Sequence, residues 1–114
     1  MRATRKSVRT AAYLILEKIP PHMADLVEVH CSSYGVVELH LTTSTMTLAE
    51  RVAWIDSVAA LIGAEPAWHT RGSDTYPWEY GGTGRVRRVP VKLYTLISGD
   101  EATGRPPNGN GRAA

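Results

Sequence analysis

Two short runs repeat a pattern whose residue types can move protons or hold a metal. VEVH occupies residues 27–30 and VELH occupies residues 37–40. Imidazole and carboxylate form the commonest proton-transfer pair, and both are ligands for zinc. If Ser33, Tyr34 and Gly35 form a three-residue loop with Gly35 in the left-handed region, Ser32 faces Val36 and a hairpin follows. In that register His30 faces Glu38 and Glu28 faces His40. All four point to one face, whereas Val27, Val29, Cys31, Val37, Leu39 and Leu41 point to the other. Three uses fit this array. It can be a solvated outer face whose Glu–His contacts contribute about 0.2–1 kcal/mol each. It can be a zinc site built from His30, His40, Glu28 and Glu38, with His69 as a further ligand. It can also be an acid–base pair. Neighbours on a flat sheet rarely converge tetrahedrally and no pocket is implied around them, so the solvated face is the preferred reading. Cys31 shares the apolar parity and is expected to fill the core.

A second candidate is DTYPWEYGGTGRVRR, residues 74–88, where three aromatics alternate before a glycine-rich stretch and three arginines. Reading GGTG as a four-residue loop places Tyr80 opposite Arg85, Trp78 opposite Arg87 and Tyr76 opposite Val89. The stripe then forms an edge hairpin, with Pro77 suited to an outer strand. Its arginines lie over its own aromatics, a contact contributing roughly 0.5–1 kcal/mol when exposed. Tyr76, Trp78, Tyr80, Arg85, Arg87 and Arg88 are the residue types that anchor protein interfaces. The same composition can stack bases of a single-stranded nucleic acid.

Charge is segregated along the 114 residues, although the formal net charge is only +2. Residues 1–9 carry Arg2, Arg5, Lys6 and Arg9 without an acid, the middle is acidic, and the stretch from Arg85 onward is basic again. Basic ends on an acidic body fit an acidic partner, nucleic acid, or contact with the acidic body of the same or another copy. The acidic middle argues against a continuous nucleic-acid groove, and no helix-turn-helix, RNP-like or zinc-finger pattern is present. GGTG lacks the Lys-Ser/Thr of a phosphate-binding loop. Nucleophile-elbow, H-E-x-x-H and paired-cysteine motifs are missing too, so neither an enzyme nor a cofactor is expected. A single cysteine rules out an intrachain disulfide and favours a reducing compartment. No run approaches the roughly 18 apolar residues that span a bilayer. The apolar run Ala11–Leu16 is too short and lacks the cleavage pattern of a signal peptide. A cytoplasmic protein without membrane contact is expected.

These side chains need elements to position them. Ser7 predicts the start of a helix over 7–18, with Val8, Ala11, Ala12, Ile15 and Ile19 as its apolar stripe and Pro20-Pro21 as its stop. Strands are expected over 25–31 and 36–43. TLAERVAWIDSVAALIG predicts a helix with a Thr47/Glu50 capping box, Gly63 past its end, and Leu48, Val52, Ile55, Ala59 and Ile62 on one face, widened by Trp54, Val58 and Leu61. A strand over 66–71, resuming at 75–80 after GSD, and a last one over 86–98 complete the order α-β-β-α-β-β. The expected fold is an α+β two-layer sandwich: a four-stranded antiparallel sheet with two helices on one face. Residues 1–98 make one domain, and 99–114, which lack core-forming residues, are expected to be a disordered tail.

The hairpin, the AWIDSVAALIGAE helix and the closing VPVKLYTLIS strand resemble small proteins of actinobacteria and their phages. Those combine a short helix, a hairpin, a helix with Ala-Trp ending in Leu-Gly-Ala, and a Val-x-Val strand. The likeness spans residues 11–98, with Ile62-Gly63 in place of Leu-Gly. It implies a fold and a host, not an activity. The function expected from these features is a non-enzymatic interaction or regulatory module that docks a protein partner, or a second copy, through the aromatic–arginine hairpin. Nucleic-acid binding through the basic N-terminus and Arg85–Arg88 is the alternative, and metal-dependent catalysis at the Glu/His face is the third.

Overall fold

Threonine opens both main helices by the same chemistry. In the computed structural model, which describes residues 4–19, 27–32, 34–42 and 46–102, helix α1 spans Arg5–Lys18 and helix α2 spans Leu48–Ile62. Thr4 Oγ1 accepts from the Ser7 N–H at 3.1 Å, so α1 starts earlier than a Ser7 cap predicts. Thr47 and Glu50 form the expected reciprocal capping box, and Gly63 ends α2 in the left-handed region at φ 69°. The buried stripe of α1 is Val8, Ala11, Ala12 and Ile15, continued by Ile19. Its predicted stop at Pro20-Pro21 lies outside the described residues.

Five strands follow from the alternating segments: β1 Val27–Cys31, β2 Val37–Leu41, β3 Ala67–Thr70, β4 Trp78–Val86 and β5 Val89–Ile97. They form one sheet in the order β1-β2-β5-β4-β3. The β2–β5 pair is parallel and the other three pairs are antiparallel. Val37, Leu39 and Leu41 on β2 and Val89, Val91, Leu93 and Ile97 on β5 share one buried cluster with the apolar stripes of α1 and α2. Both long helices therefore cover the same face. The opposite parity, including Glu38, His40, Lys92, Tyr94 and Leu96, is only half-buried.

The expected four-stranded antiparallel sheet with α-β-β-α-β-β order is overturned: the protein is α+β with a five-stranded mixed sheet and three helices. The cause is one missed reversal. Gly72, at φ 74°, helps turn the chain between β3 and β4, where the sequence suggested one interrupted strand. Three strands after α2, rather than two, bring the last one back parallel to β2.

GGTG is not a turn either. It lies inside β4, and the chain reverses at Arg87-Arg88, with φ 49° and 69°, so Val86 faces Val89. The glycines serve close approach. A Cβ on Gly84 would strike the backbone carbonyl of Ile62 at the end of α2, and one on Gly81 would strike the carbonyl of Leu93 on β5.

Past β5 the chain folds again, into the short helix α3, Gly99–Ala102. The tail expected to begin at residue 99 is corrected to that extent, and residues 103–114 lie outside the described part. An arginine anchors α3. Arg51 occupies the apolar side of α2 and is 0% exposed. Its Nη2 donates to both Glu101 carboxylate oxygens at 2.9 and 2.8 Å, its Nη1 to the Met46 carbonyl at 2.9 Å, and its Nε to Thr95 Oγ1 at 3.0 Å. Thr95 donates onward to the Leu41 carbonyl at 3.0 Å. This buried charge is tolerable because each arm of the guanidinium has an acceptor.

Candidate site on the open face of the sheet

The first hairpin forms in the predicted register. The Ser32 N–H donates to the Val36 carbonyl at 2.8 Å, and Gly35 has φ 85°. Glu28 faces His40 and His30 faces Glu38, all on the face away from the helices. The loop residue Ser33 lies outside the described residues. Only one of the two Glu–His pairs closes: His40 Nδ1 lies 3.0 Å from Glu28 Oε1. An ionised carboxylate only accepts, so His40 carries its proton on Nδ1. Between His30 and Glu38 there is no ion pair among the described residues.

Parallel pairing of β2 with β5 brings a second layer of contacts that the sequence did not announce. His40 sits opposite Tyr94, and the two rings stack with centroids 4.8 Å apart and planes 3° from parallel. Lys92 faces Glu38 along the backbone, but its ammonium lies 4.8 Å from the Tyr94 centroid and 3.7 Å from Glu79 Oε2. Glu79 also receives Arg71 at 3.2 Å. Gly81, opposite Tyr94, adds no side chain to this row. A continuous array, Glu28–His40–Tyr94–Lys92–Glu79–Arg71, therefore crosses four strands and the end of β3.

Burial and the nearby carboxylates Glu38, Glu79 and Glu28 raise the Tyr94 phenol above its usual value, while Arg71 opposes the shift. The array thus combines a neutral phenol, a hydrogen-bonded imidazole and paired charges. His40 Nε2, the atom a proton-transfer role would use, is shielded from solvent and has no hydrogen-bond partner among the described residues. Among the described residues no three His, Cys, Asp or Glu side chains come together as a metal-binding group. Of the candidate zinc set His30, His40, Glu28 and Glu38, only the Glu28–His40 hydrogen bond is closed. His69 lies two strands beyond β2's neighbour β5, paired with Glu79.

The aromatic–arginine set is dispersed. β4 lies between β5 and β3 and is not an edge. Tyr80 faces Thr95 rather than Arg85 and is 2% exposed, tilted against Trp68 with its hydroxyl donating to Asp56 at 2.5 Å. Trp78 faces Ile97 rather than Arg87, and is half-buried against the core. Tyr76 precedes β4 and is half-buried. Arg85, facing Pro90, Arg87 and Arg88 are exposed at the opposite end of the strand, roughly 25 Å from Trp78 at the rise of an extended chain. Arg85 donates to the Arg88 carbonyl at 3.1 Å and so steadies the turn.

Of the basic N-terminus, Arg5, Lys6 and Arg9 are exposed on α1, where with Thr10 and Tyr13 they line an open depression of about 580 Å³. Arg2 lies outside the described residues. Cys31, expected in the core, is exposed because β1 is an edge strand and the packed interior ends before it. Helical spacing could have found Arg51, which shares its face with Ile55, Val58 and Ile62. The omitted core-parity position on β5 could have found Thr95. No described helix is long and apolar enough to cross a membrane. No family model matches the chain, and neither a curated protein nor a solved structure matches it.

Proposed function

We propose that the protein is a small non-enzymatic interaction module that docks a protein partner through the open side of its sheet, including the β1 edge. One observation carries this reading. Both long helices pack on one face, and the other presents an ordered, half-buried array centred on His40, Tyr94 and Lys92 that no described element covers. Interfaces favour aromatic residues within a polar rim, and here Tyr94 is ringed by Lys92, Glu28 and Glu79. The docking surface moves away from the aromatic–arginine hairpin, whose Tyr80 is interior.

The test combines native mass with footprinting of accessible side chains. Association should protect Tyr94 and His40, and Lys92→Glu should abolish that protection while leaving the circular dichroism spectrum unchanged. Tyr94 equally accessible in isolated and associated protein would end the reading. Nucleic-acid binding has one observation of its own, the exposed Arg5, Lys6 and Arg9 beside the α1 depression. It requires affinity that falls steeply with salt, so the absence of a gel shift at low ionic strength removes it.

A further inference from the structure

The two edges of the sheet are not protected alike. β3 is four residues long, is preceded by Pro66, and is followed by Arg71. These are the devices that keep an edge strand from pairing with another chain. β1 has only one of them, the charge of Glu28. Its five residues contain no proline and no lysine, and its register with β2 is unbroken.

The free side of β1 can be assigned from the hairpin. Ser32 and Val36 form a hydrogen-bonded pair. Such pairs alternate along an antiparallel ladder, so His30 and Glu28 direct their backbone groups to β2. The N–H and C=O groups of Val27, Val29 and Cys31 therefore turn outward. Nothing among the described residues pairs with that side. The core-facing side chains of β1 are also incompletely covered. Val27 and Val29 are half-buried and Cys31 is exposed, whereas Val37, Leu39 and Leu41 beside them are each 0% exposed.

We propose that β1 pairs antiparallel with β1 of a second copy, about a two-fold axis through Val29, joining two five-stranded sheets into one. The proposal rests only on the β1-edge part of the docking reading above and names its partner. Edge-to-edge pairing leaves Tyr94, two strands in from β1, uncovered, so the footprinting of the open face and the pairing of the edge are separate tests. The sequence VEVHC fits itself in this arrangement. Val29 faces Val29, and Val27 faces Cys31, keeping apolar side chains on the core side. On the open side Glu28 of each copy faces His30 of the other, in the non-hydrogen-bonded positions where side chains lie closest. Glu28 is 66% exposed and uses Oε1 for His40, which leaves Oε2 for the facing His30. The outward groups of residues 27, 29 and 31 would exchange about six main-chain hydrogen bonds. Strand addition of this kind draws affinity from the backbone and specificity from alternate side chains.

Sedimentation of the wild type over micromolar concentrations should give a mass near twice 12.4 kDa. Val29→Pro removes only an outward N–H and leaves the β1–β2 ladder intact, so it should weaken association by at least about tenfold without changing the circular dichroism spectrum. Val29→Cys in a Cys31→Ser background should oxidise to a covalent dimer, since hydrogen-bonded antiparallel pairs place Cα atoms about 5.5 Å apart, within disulfide range. This second variant decides the matter if the proline variant unfolds. A wild type monomeric throughout overturns self-pairing, while docking of another protein stands or falls by the footprinting. A dimer unmoved by Val29→Pro, or one that Val29→Cys does not cross-link, overturns the edge arrangement and leaves the docking reading standing.

Discussion

At Tyr94 a hydroxyl is kept neutral by what surrounds it. Burial and three nearby glutamates hold its pKa above the usual value near 10. An acid whose pKa is raised by folding contributes stability that is complete below its unfolded pKa and is lost as pH rises through the folded one. Stability should therefore decline above about pH 10, and Tyr94→Phe should reduce that decline. The ultraviolet phenolate titration, wild type minus variant, should place Tyr94 above ordinary tyrosines, and Glu38→Gln should lower it. Arg51 offers a stronger single-residue test. Glu101→Ala leaves a fully buried guanidinium without its carboxylate. The expected loss is about 3 kcal/mol, the low end for a broken buried pair because Glu101 retains some exposure. It should show in urea as a lower midpoint with an unchanged slope. The Glu28–His40 contact was legible because strict alternation and one turn glycine fix a hairpin register. Arg51 was not, because its acceptors come from β5, from the chain before α2 and from α3, and no local pattern encodes that convergence.

Among the elements, the two long helices were the most readable, since caps and apolar stripes are local. β4 was the least. Glycines in GGTG carry the signal of a turn, yet Gly81 and Gly84 are required by backbone passing too near for a Cβ. Gly84→Ala should therefore cost about 1–3 kcal/mol as the Ile62 end of α2 is pushed off the strand. Thr83→Ala, next to it and exposed on the open face, should fall within about 0.5 kcal/mol of wild type. Thermal or urea denaturation of the pair checks this, and equal effects would mean that α2 does not rest on β4 as described. The actual reversal, at Arg87-Arg88, uses two positive φ values where Asn-Gly is the usual choice. Composition therefore points to the middle of β4 instead of the turn that follows it.

For the molecule as a whole, the class α+β and the single shared core were readable from alternating and helical periods, but strand direction was not. Direction depends on the parity of reversals, so one unread turn at 72–74 converted a parallel pair into an expected antiparallel one. That parallel pair creates the open array, because it sets Tyr94 beside His40 and Lys92 beside Glu38. The position of β5 has a further consequence. β5, the last of the described strands in chain order, lies between β2 and β4, so until residue 97 is made nothing can join the β1–β2 pair to the β3–β4 pair. Union of the two halves of the sheet is thus left to the segment made last of the five, the wedge between them.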